Sequence, residues 1–223
     1  MELNADFGKR ASAHAEAMPW SLSPMPGVER KMLDRIGDEV ARATTIVRYA
    51  PGSAFSPHVH SGGEEFLVLD GVFQDEHGDY PAGSYIRNPP QSSHTPGSEP
   101  GCKILVKLWQ FDPDDRTDVR LQSSDIHWQD DTDRRGVSCA HLHSDVREVV
   151  QLERWAPNSE IFFEEVGGVE IFVLDGEFIE ENERFSKDSW LRLPVGYTMR
   201  TFTGSDGATV WIKTGHLKNI LPV

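Results

Sequence analysis

The sequence predicts an all-β protein built from two tandem barrels, and three observations support this prediction. Short runs with alternating apolar side chains are separated by Gly, Pro, Asp and Asn, a pattern typical of strands and turns. Only the short stretch 11–17 has any helical period. The second half of the chain repeats motifs of the first at an interval of about 105 residues. Many short strands without helices indicate a sandwich or a barrel in each half.

The first half contains three alternating runs that are predicted strands. They cover 45–49, 65–69 and 103–108. The Gly62-Gly63 pair predicts a sharp bend between the first two runs, because glycine tolerates backbone angles that other residues avoid. Asp70-Gly71 predicts a tight turn after the second run.

Matching motifs reveal the internal repeat. Residues 66–71 (FLVLDG) return as 171–176 (IFVLDG), and 49–51 (YAP) return as 155–157 (WAP). The interval is far longer than the unit of a solenoid, so it indicates two whole domains related by duplication.

Four segments follow from this repeat. They are an N-terminal extension (1–17), a first barrel (18–112), an acidic connection leading into the second copy (113–134) and a degenerate second barrel (135–223).

The composition is that of an ordinary soluble protein. The length of 223 residues suits two domains of ~100 residues, with 38% hydrophobic residues and a mean hydropathy of -0.47. No run of ~18 apolar residues predicts a transmembrane helix, and the polar N-terminus does not resemble a signal peptide. We therefore expect a cytoplasmic protein in which Cys102 and Cys139, one in each half, are free thiols.

The formal net charge is -14 at pH 7, with histidine counted as neutral. Nucleic acid and anionic membrane surfaces would repel such a chain, so neither is an expected partner. The acidic surface is compatible with a basic partner protein, but plain solubility is the favoured explanation because acidic surfaces are common.

A spaced frame in the first half carries the candidate chemistry. It contains His58, His60, Glu64 and His94, set among Gly52, Gly71, Gly83 and Pro89. Residues two apart on a strand share a face, so His58 and His60 point the same way, and His94 can return from another strand. Glu64 is an even number of residues from Phe66 and Val68, so it should share their inward-facing side of the strand. A buried carboxylate there is costly unless a cation binds it. The frame predicts three imidazoles and one carboxylate around one divalent metal ion.

Two alternatives stay open at this point. Glu65 competes with Glu64 for the carboxylate role, although the spacing to Gly71 and the strand parity favour Glu64. The chain has nine histidines, so a His-x-His pair can arise by chance on the surface. His141 and His143 form such a pair without a downstream glutamate, and we do not expect them to bind a metal.

The second copy keeps the scaffold but not the ligands. Aligned through the shared Asp-Gly and Pro positions, Val169 takes the place of Glu64 and Met199 that of His94. The other two ligand positions fall within 163–166, which contains no histidine. We therefore expect no metal in the second barrel, which is either a structural partner of the first or a ligand pocket without metal.

The donor set does not select one metal. Imidazole suits Zn, Fe, Ni, Cu and Mn, and a single carboxylate does not decide between them. A tetrahedral array would give a closed zinc site, whereas an octahedral array would leave two positions open for chemistry. Binding requires neutral imidazoles and an ionised carboxylate, so metal affinity should fall at acid pH.

With these residues in view, the chain resembles the cupin superfamily and, more narrowly, the ChrR-type cupin of anti-sigma factors. The resemblance rests on these motifs: Gly27-Val28-x-x-Lys31-x-Leu33, Tyr49-Ala50-Pro51-Gly52, His58-x-His60, Gly63-Glu64-Glu65, Val68-Leu69-Asp70-Gly71, Gly83-x-Tyr85 and Pro89-x4-His94. It implies that each barrel is a double-stranded β-helix, the RmlC-like jelly roll, arranged as a tandem bicupin. It also implies one divalent ion per chain on His58, His60, Glu64 and His94, with zinc as the metal and Fe, Mn or Ni as alternatives.

The resemblance further implies a regulatory protein that senses oxidative stress and binds a sigma factor. In that family a separate N-terminal helical domain holds the sigma factor, using a zinc site of His and paired Cys. The residues before the first barrel include His14 but no cysteine, so we expect the chain to lack that sigma-binding domain.

The competing hypothesis is a metal-dependent cupin dioxygenase that acts on a small molecule. Tyr49, Tyr85, Lys107 and Trp109 are candidate residues for its pocket. Monomer and homodimer both stay open.

Overall fold

The computed structural model describes residues 1–38, 40–164 and 167–220. Its strands, in chain order, are β1 (Glu2–Leu3), β2 (Ala11–His14), β3 (Ser21–Leu22), β4 (Val28–Gly37), β5 (Ala41–Tyr49), β6 (Ser53–Ala54), β7 (His58–Val59), β8 (Glu64–Asp75), β9 (Gly78–Pro81), β10 (Tyr85–Asn88), β11 (Ser93–His94), β12 (Gly97–Ser98), β13 (Cys102–Leu108), β14 (Val119–Leu121), β15 (Gln129–Asp130), β16 (Val137–Ser144), β17 (Val149–Trp155), β18 (Glu160–Glu164), β19 (Val169–Glu180), β20 (Glu183–Ser186), β21 (Ser189–Leu193) and β22 (Thr198–Thr214).

The all-β prediction is confirmed. The three strands predicted in the first half lie within β5, β8 and β13. The helical elements of the described residues are two 3-10 turns, Ala15–Ala17 and Ser123–Asp125. The expected helical piece over 11–17 is therefore wrong in its first half, which is β2. The described part of the chain contains no helix with the length and apolar composition that crossing a bilayer would require.

The strands form two compact units. Among the described residues, the first comprises 1–5 and 19–125, and the second 6–18 and 126–220. This division differs from the predicted segments in two places. β2, in the predicted N-terminal extension, pairs with β21 of the second unit, and β14, in the predicted connection, pairs with β10 of the first. Both are edge strands that satisfy their backbone hydrogen bonds on a distant part of the chain, which local residue patterns cannot show.

The main sheet of the first unit is antiparallel, with the order β1-β4-β5-β13-β8-β10-β14. β3, β6, β9 and β12 pair at its margins, and β7 and β11 form a separate two-stranded ladder. Phe66, Val68 and Phe73 of β8 lie in the core cluster inside this barrel. Glu65 and Leu67 point to the opposite face and are also buried, so both faces of β8 are covered.

The second unit repeats this arrangement. Its sheet has the order β15-β16-β17-β22-β19-β21-β2, with β18 and β20 at the margins. Aromatic rings fill the interior: the centroids of Trp155 and Phe178 are 5.2 Å apart, and Phe178 stacks on Phe185 at 4.9 Å. A packed apolar interior occupies the space that corresponds to the histidine side of the first barrel.

The predicted turn at Asp70-Gly71 is wrong, because β8 continues through it to Asp75. Gly71 instead bends the strand, with a φ of 71°. A β-carbon at this position would lie 2.0 Å from the carbonyl oxygen of Gly101, so only glycine fits. Gly176 repeats the bend in β19, also with a φ of 71°.

Candidate metal centre

Three imidazoles of the first unit lie side by side. β7 and β11 pair so that His58 and His94 are direct partners, and His60 follows His58 by two residues. The centroids of the three rings are 4.6–5.0 Å apart. One nitrogen of each ring lies within 4.8 Å of the corresponding nitrogens of the other two. The structure thus brings the three predicted histidines together, close enough for one ion to reach all three with modest ring movement.

The predicted carboxylate borders this cluster. Glu64 opens β8, and its Oε2 lies 3.5 Å from His60 Nε2 and 3.6 Å from His94 Nε2. Asn88, directly opposite in the ladder between β10 and β8, donates from Nδ2 to the same oxygen at 3.1 Å. Asn88 was not predicted from the sequence. The amide orients the Glu64 carboxylate toward the imidazoles.

Three other candidates lie on the opposite face of the sheet. The hydroxyl of Tyr85 donates to Oε1 of Glu65 at 3.0 Å, and Nζ of Lys107 donates to Oγ1 of Thr44 at 2.8 Å. Strand alternation therefore turns the alternative carboxylate, Glu65, away from the imidazoles. It also turns Tyr85 and Lys107 away from the predicted pocket.

The histidine tautomers are set by neighbouring acceptors. Nδ1 of His58 donates to the backbone oxygen of Ser56 at 3.3 Å, and Nδ1 of His94 donates to Oδ2 of Asp75 at 3.3 Å. These assignments leave Nε2 of both rings as a lone-pair donor for a metal. Asp75 was also missed at the sequence level, although it shares the inward parity of Phe73 two residues earlier.

The donor atoms fit a divalent ion. Nε2 of His60 is buried and has no hydrogen-bond partner among the described residues. Three imidazole nitrogens and one carboxylate oxygen form a mixed set that zinc, iron, manganese and nickel all accept. An unsatisfied buried nitrogen facing such a set is the feature expected of a ligand to an ion.

Burial and neighbouring charges shift the pKa values of His60 and His94 in opposite directions. Burial lowers the pKa of His60, and the other two imidazoles lower it further against the opposing effect of Glu64. Burial also opposes protonation of His94, but the Asp75 hydrogen bond and the Glu64 charge outweigh it and raise the pKa of His94. For Asp75, burial disfavours the anion, yet the hydrogen bonds from His94 and the His77 backbone lower its pKa. His60 is thus held neutral, the state in which it can bind a metal.

The remaining pocket candidates, Tyr49 and Trp109, both belong to the first unit. The ring of Tyr49 contacts Phe55 and Phe73 with centroids 5.1 and 6.1 Å away. Burial, and then the Glu64 charge, raise the pKa of Tyr49 far above its usual range. Trp109, with a φ of 57°, packs its ring against Gly62, where a β-carbon would lie 2.1 Å from the indole.

A cavity of about 280 Å³ opens beside the cluster, and His60 and Trp109 line it. Gly62 lines the cavity as well. The Trp109 indole occupies the space that a side chain at position 62 would need. The predicted metal site therefore has a small chamber next to one of its ligands.

The second unit has apolar side chains at the corresponding positions. Phe163 pairs with Met199 in the ladder between β18 and β22, as His58 pairs with His94 in the first unit. Val169, at the position of Glu64, is buried. Of the segment 163–166, Glu165 and Val166 lie outside the described residues. In the part of the chain that the structure describes, the only group of three potential metal ligands is the histidine cluster of the first unit.

The fold and this donor set define a class of protein, a tandem cupin with a potential metal site in its first barrel. The chain belongs to the ChrR cupin-like family, because the model of the ChrR Cupin-like domain matches residues 8–112 and again 116–218. The double match confirms the tandem organisation. The search of curated proteins found no significant relative.

Solved structures share this fold at low sequence identity. A Nostoc punctiforme protein, provisionally described as a dioxygenase, has a TM-score of 0.78 at 18% identity, covering 96% of this chain and 85% of that chain. YlbA from E. coli has a TM-score of 0.71 at 12% identity, with 98% and 95% covered. Oxalate decarboxylase from Lactobacillus farciminis, in a formate complex, has a TM-score of 0.66 at 9% identity, with 93% and 86% covered. Likeness at these identities establishes the fold alone.

Proposed function

We propose that the chain is a metal-dependent bicupin whose first barrel holds one divalent ion on His58, His60, Glu64 and His94. The observation that carries the proposal is Nε2 of His60, which is buried and makes no hydrogen bond within the described residues, beside a carboxylate and two further imidazoles. An unsatisfied buried polar atom costs about 1–3 kcal/mol, and an ion at this point would remove that cost.

The activity that this geometry supports best is chemistry on a small molecule, of the cupin dioxygenase type. The cavity beside His60 supports it, because a small molecule there would lie next to the ion. An ion with open positions supplies a Lewis acid or an oxygen-activating centre when bound. The protein keeps His60 neutral, orients His94 through Asp75 and packs Phe73 against the cluster, with its ring centroid 5.7 Å from that of His94. The Nostoc neighbour, itself described provisionally as a dioxygenase, is consistent with this reaction class.

The second candidate function is regulatory. Membership of the ChrR cupin-like family supports it, and the corresponding partner is a sigma factor or another basic protein. In this hypothesis the ion is zinc in a closed four-ligand site, and the protein senses oxidative stress without turnover.

The metal content of untagged protein, purified without chelator, separates the two functions. Iron or manganese at about one ion per chain, with oxygen uptake on diketones or phenols, supports the enzyme. Zinc at the same ratio, without oxygen uptake and with capture of a sigma factor, supports regulation. Protein that neither contains nor takes up any of these ions contradicts the metal proposal as a whole.

Variants locate the ion. We expect His60→Ala and Glu64→Gln each to lower the metal content of purified protein well below that of the wild type. His141→Ala is the matched control, because His141 is an exposed histidine of the second unit. A full complement of metal in His60→Ala would place the ion elsewhere.

A further inference from the structure

Two arginines of β4 face the interior of the first barrel. Arg30 lies opposite Val47 in the ladder between β4 and β5, and Val47 belongs to the core cluster. Arg35 lies opposite Ala43, which has the same parity along β5 as Val47. A register shift between Met32 and Asp34 keeps both arginines on the inward face, although five positions separate them.

Both arginines line the 280 Å³ cavity beside the candidate metal centre. His60 and Trp109 line the same cavity, so its wall combines two guanidinium groups, a metal-ligand candidate and an indole. No acidic side chain occurs among its described lining residues. A cationic chamber is unusual in a chain with a net charge of -14.

The guanidinium groups have little compensation from the protein. Nε of Arg30 is buried and has no hydrogen-bond partner among the described residues. Arg35 donates to the backbone oxygen of Asp38, while the Asp38 carboxylate accepts a hydrogen bond from the N-terminal ammonium group at 2.6 Å. Burial, and then the positive charge of Arg30, lower the pKa of Arg35 against the smaller opposing effect of the Asp38 charge. A bound anion would relieve both effects.

Two other arginines with shielded side chains are paired with carboxylates. Arg10 lies 2.7 Å from Glu180, and Arg87 lies 2.6 Å from Asp115. The described residues contain no carboxylate within ion-pair distance of Arg30 or Arg35. The two inward arginines of the first barrel thus differ from Arg10 and Arg87.

We propose that this cavity binds a small carboxylic acid, with one carboxylate held by Arg30 and Arg35 and the rest of the molecule directed toward the metal centre. The planar guanidinium fork matches a carboxylate and can hold it with two parallel hydrogen bonds. The volume lies just below the range of about 300–1,000 Å³ for drug-sized ligands, so the occupant has few non-hydrogen atoms. The Trp109 ring gives it a flat apolar wall. The orientation toward the metal rests on the proposed function, whereas the arginine contact does not.

Malonate is the probe, and uncharged malonamide of similar shape is its control. Binding is measured by calorimetry on metal-loaded protein and on protein stripped with chelator. We expect wild-type protein to bind malonate, and Arg30→Gln and Arg35→Gln to weaken binding about tenfold or more, which corresponds to the loss of a charge-assisted contact. Arg116→Gln is the matched control, because Arg116 is an exposed arginine of the same unit and its loss changes the net charge equally.

Arg30→Lys keeps the positive charge but removes the planar guanidinium group that can make two parallel hydrogen bonds, so we expect an intermediate malonate affinity from it. All variants must retain the wild-type melting temperature and metal content, so that a folding defect or metal loss is not mistaken for lost binding. Equal malonate affinity in the arginine variants and the wild type would overturn the proposal, as would equal affinity for malonamide or no binding to the wild type.

The stripped protein separates this proposal from the metal proposal. With the arginines intact, it should keep part of its malonate affinity, and that part should disappear in Arg30→Gln. If the chain never takes up an ion but still binds malonate through the arginines, the metal proposal fails and the anion site stands. Binding that vanishes with the metal and is indifferent to the arginines would overturn the anion site alone.

Discussion

Asp75 illustrates how a residue outside the proposed ligand set can hold one member of that set. Its carboxylate side chain is fully buried and accepts a hydrogen bond from Nδ1 of His94. The bond fixes the ring orientation and increases the basicity of Nε2, the atom that faces Glu64. Asp75 is therefore a positioning residue, whose effect on an ion bound there would pass through His94.

Substitution Asp75→Asn should weaken metal binding by about 10–100-fold, the usual effect of losing a partner of a ligating histidine. Competition with a chromophoric chelator measures the affinity. Asp79→Asn is the control, because Asp79 is exposed on the next strand and accepts a hydrogen bond from Gln74 instead. Wild-type affinity in Asp75→Asn would show that the hydrogen bond does not support the ligand.

At the scale of elements, β2 joins the second sheet through a cluster of charged side chains. Arg10, just before this strand, lies 2.7 Å from both Glu180 and Glu183. Ser12 donates to Glu183 at 2.8 Å, and His14 Nε2 lies 2.8 Å from the same carboxylate. Burial disfavours ionised Glu183, but the bonds from Arg10, Ser12 and His14 outweigh it and lower its pKa.

Substitution Glu183→Gln should therefore destabilise the protein by about 1 kcal/mol at pH 7, as expected for a partly exposed network. Because the pKa of folded Glu183 lies below its ordinary value, this contribution exists above the ordinary carboxyl pKa and disappears as the pH falls through the folded value. Urea midpoints at pH 7 and pH 3 measure the difference. Glu160→Gln, at an exposed carboxylate with a single arginine contact at 3.3 Å, should change neither midpoint appreciably.

Strand bending at Gly71 is a second feature at this scale. Gly71 and Gly52 share a left-handed backbone, with φ values of 71° and 73°. Only at Gly71 would a β-carbon meet backbone, whereas nothing lies within 4 Å of one at Gly52. The comparison separates the cost of the dihedral angle from the cost of the close approach.

Gly52→Ala should lower the free energy of unfolding by about 1 kcal/mol, the cost of a left-handed alanine. Gly71→Ala should cost about 1–3 kcal/mol more, because the strands must move apart. Denaturant unfolding curves measure both. Equal losses would mean that the Gly101 backbone yields to the added methyl group without cost.

At the scale of the whole molecule, the proposed metal binding would be linked to stability. The ligands must bind the ion as neutral imidazoles and an ionised carboxylate, so protons compete with the metal. Because the pKa of His94 is raised, this competition begins at a higher pH than for an ordinary histidine. An ion that binds only the folded protein stabilises it by about 2.7 kcal/mol at a free concentration of 100 times Kd.

Chelator treatment at mildly acid pH should strip the ion and lower the melting temperature. Restoring the metal should raise the melting temperature more at pH 7.5 than at pH 5.5, because affinity falls as the histidines protonate. Calorimetric scans with and without metal at both pH values measure the effect. An unchanged scan after verified stripping would contradict a stabilising ion.

Much of the fold and of the histidine cluster could be predicted because the signals are local. Alternation within β5, β8 and β13 shows strands, and a two-residue spacing places His58 and His60 on one face. The repeated FLVLDG and IFVLDG runs reveal the duplication. Local signals also misled: Asp70-Gly71 has the composition of a turn, yet pairing with β13 carries β8 through it.

The strand runs, the duplication and the candidate metal-binding side chains can be recognised from residues that are neighbours along the chain. The contacts that those side chains make could be recognised only in the folded protein. Asp75 contacts His94, Asn88 contacts Glu64 and the two arginines line the neighbouring cavity. They do so from strands whose register is set by hydrogen bonds between distant segments. These contacts depend on strand register, because a one-residue shift in pairing turns every side chain of a strand to the other face of the sheet. No local residue pattern specifies the register.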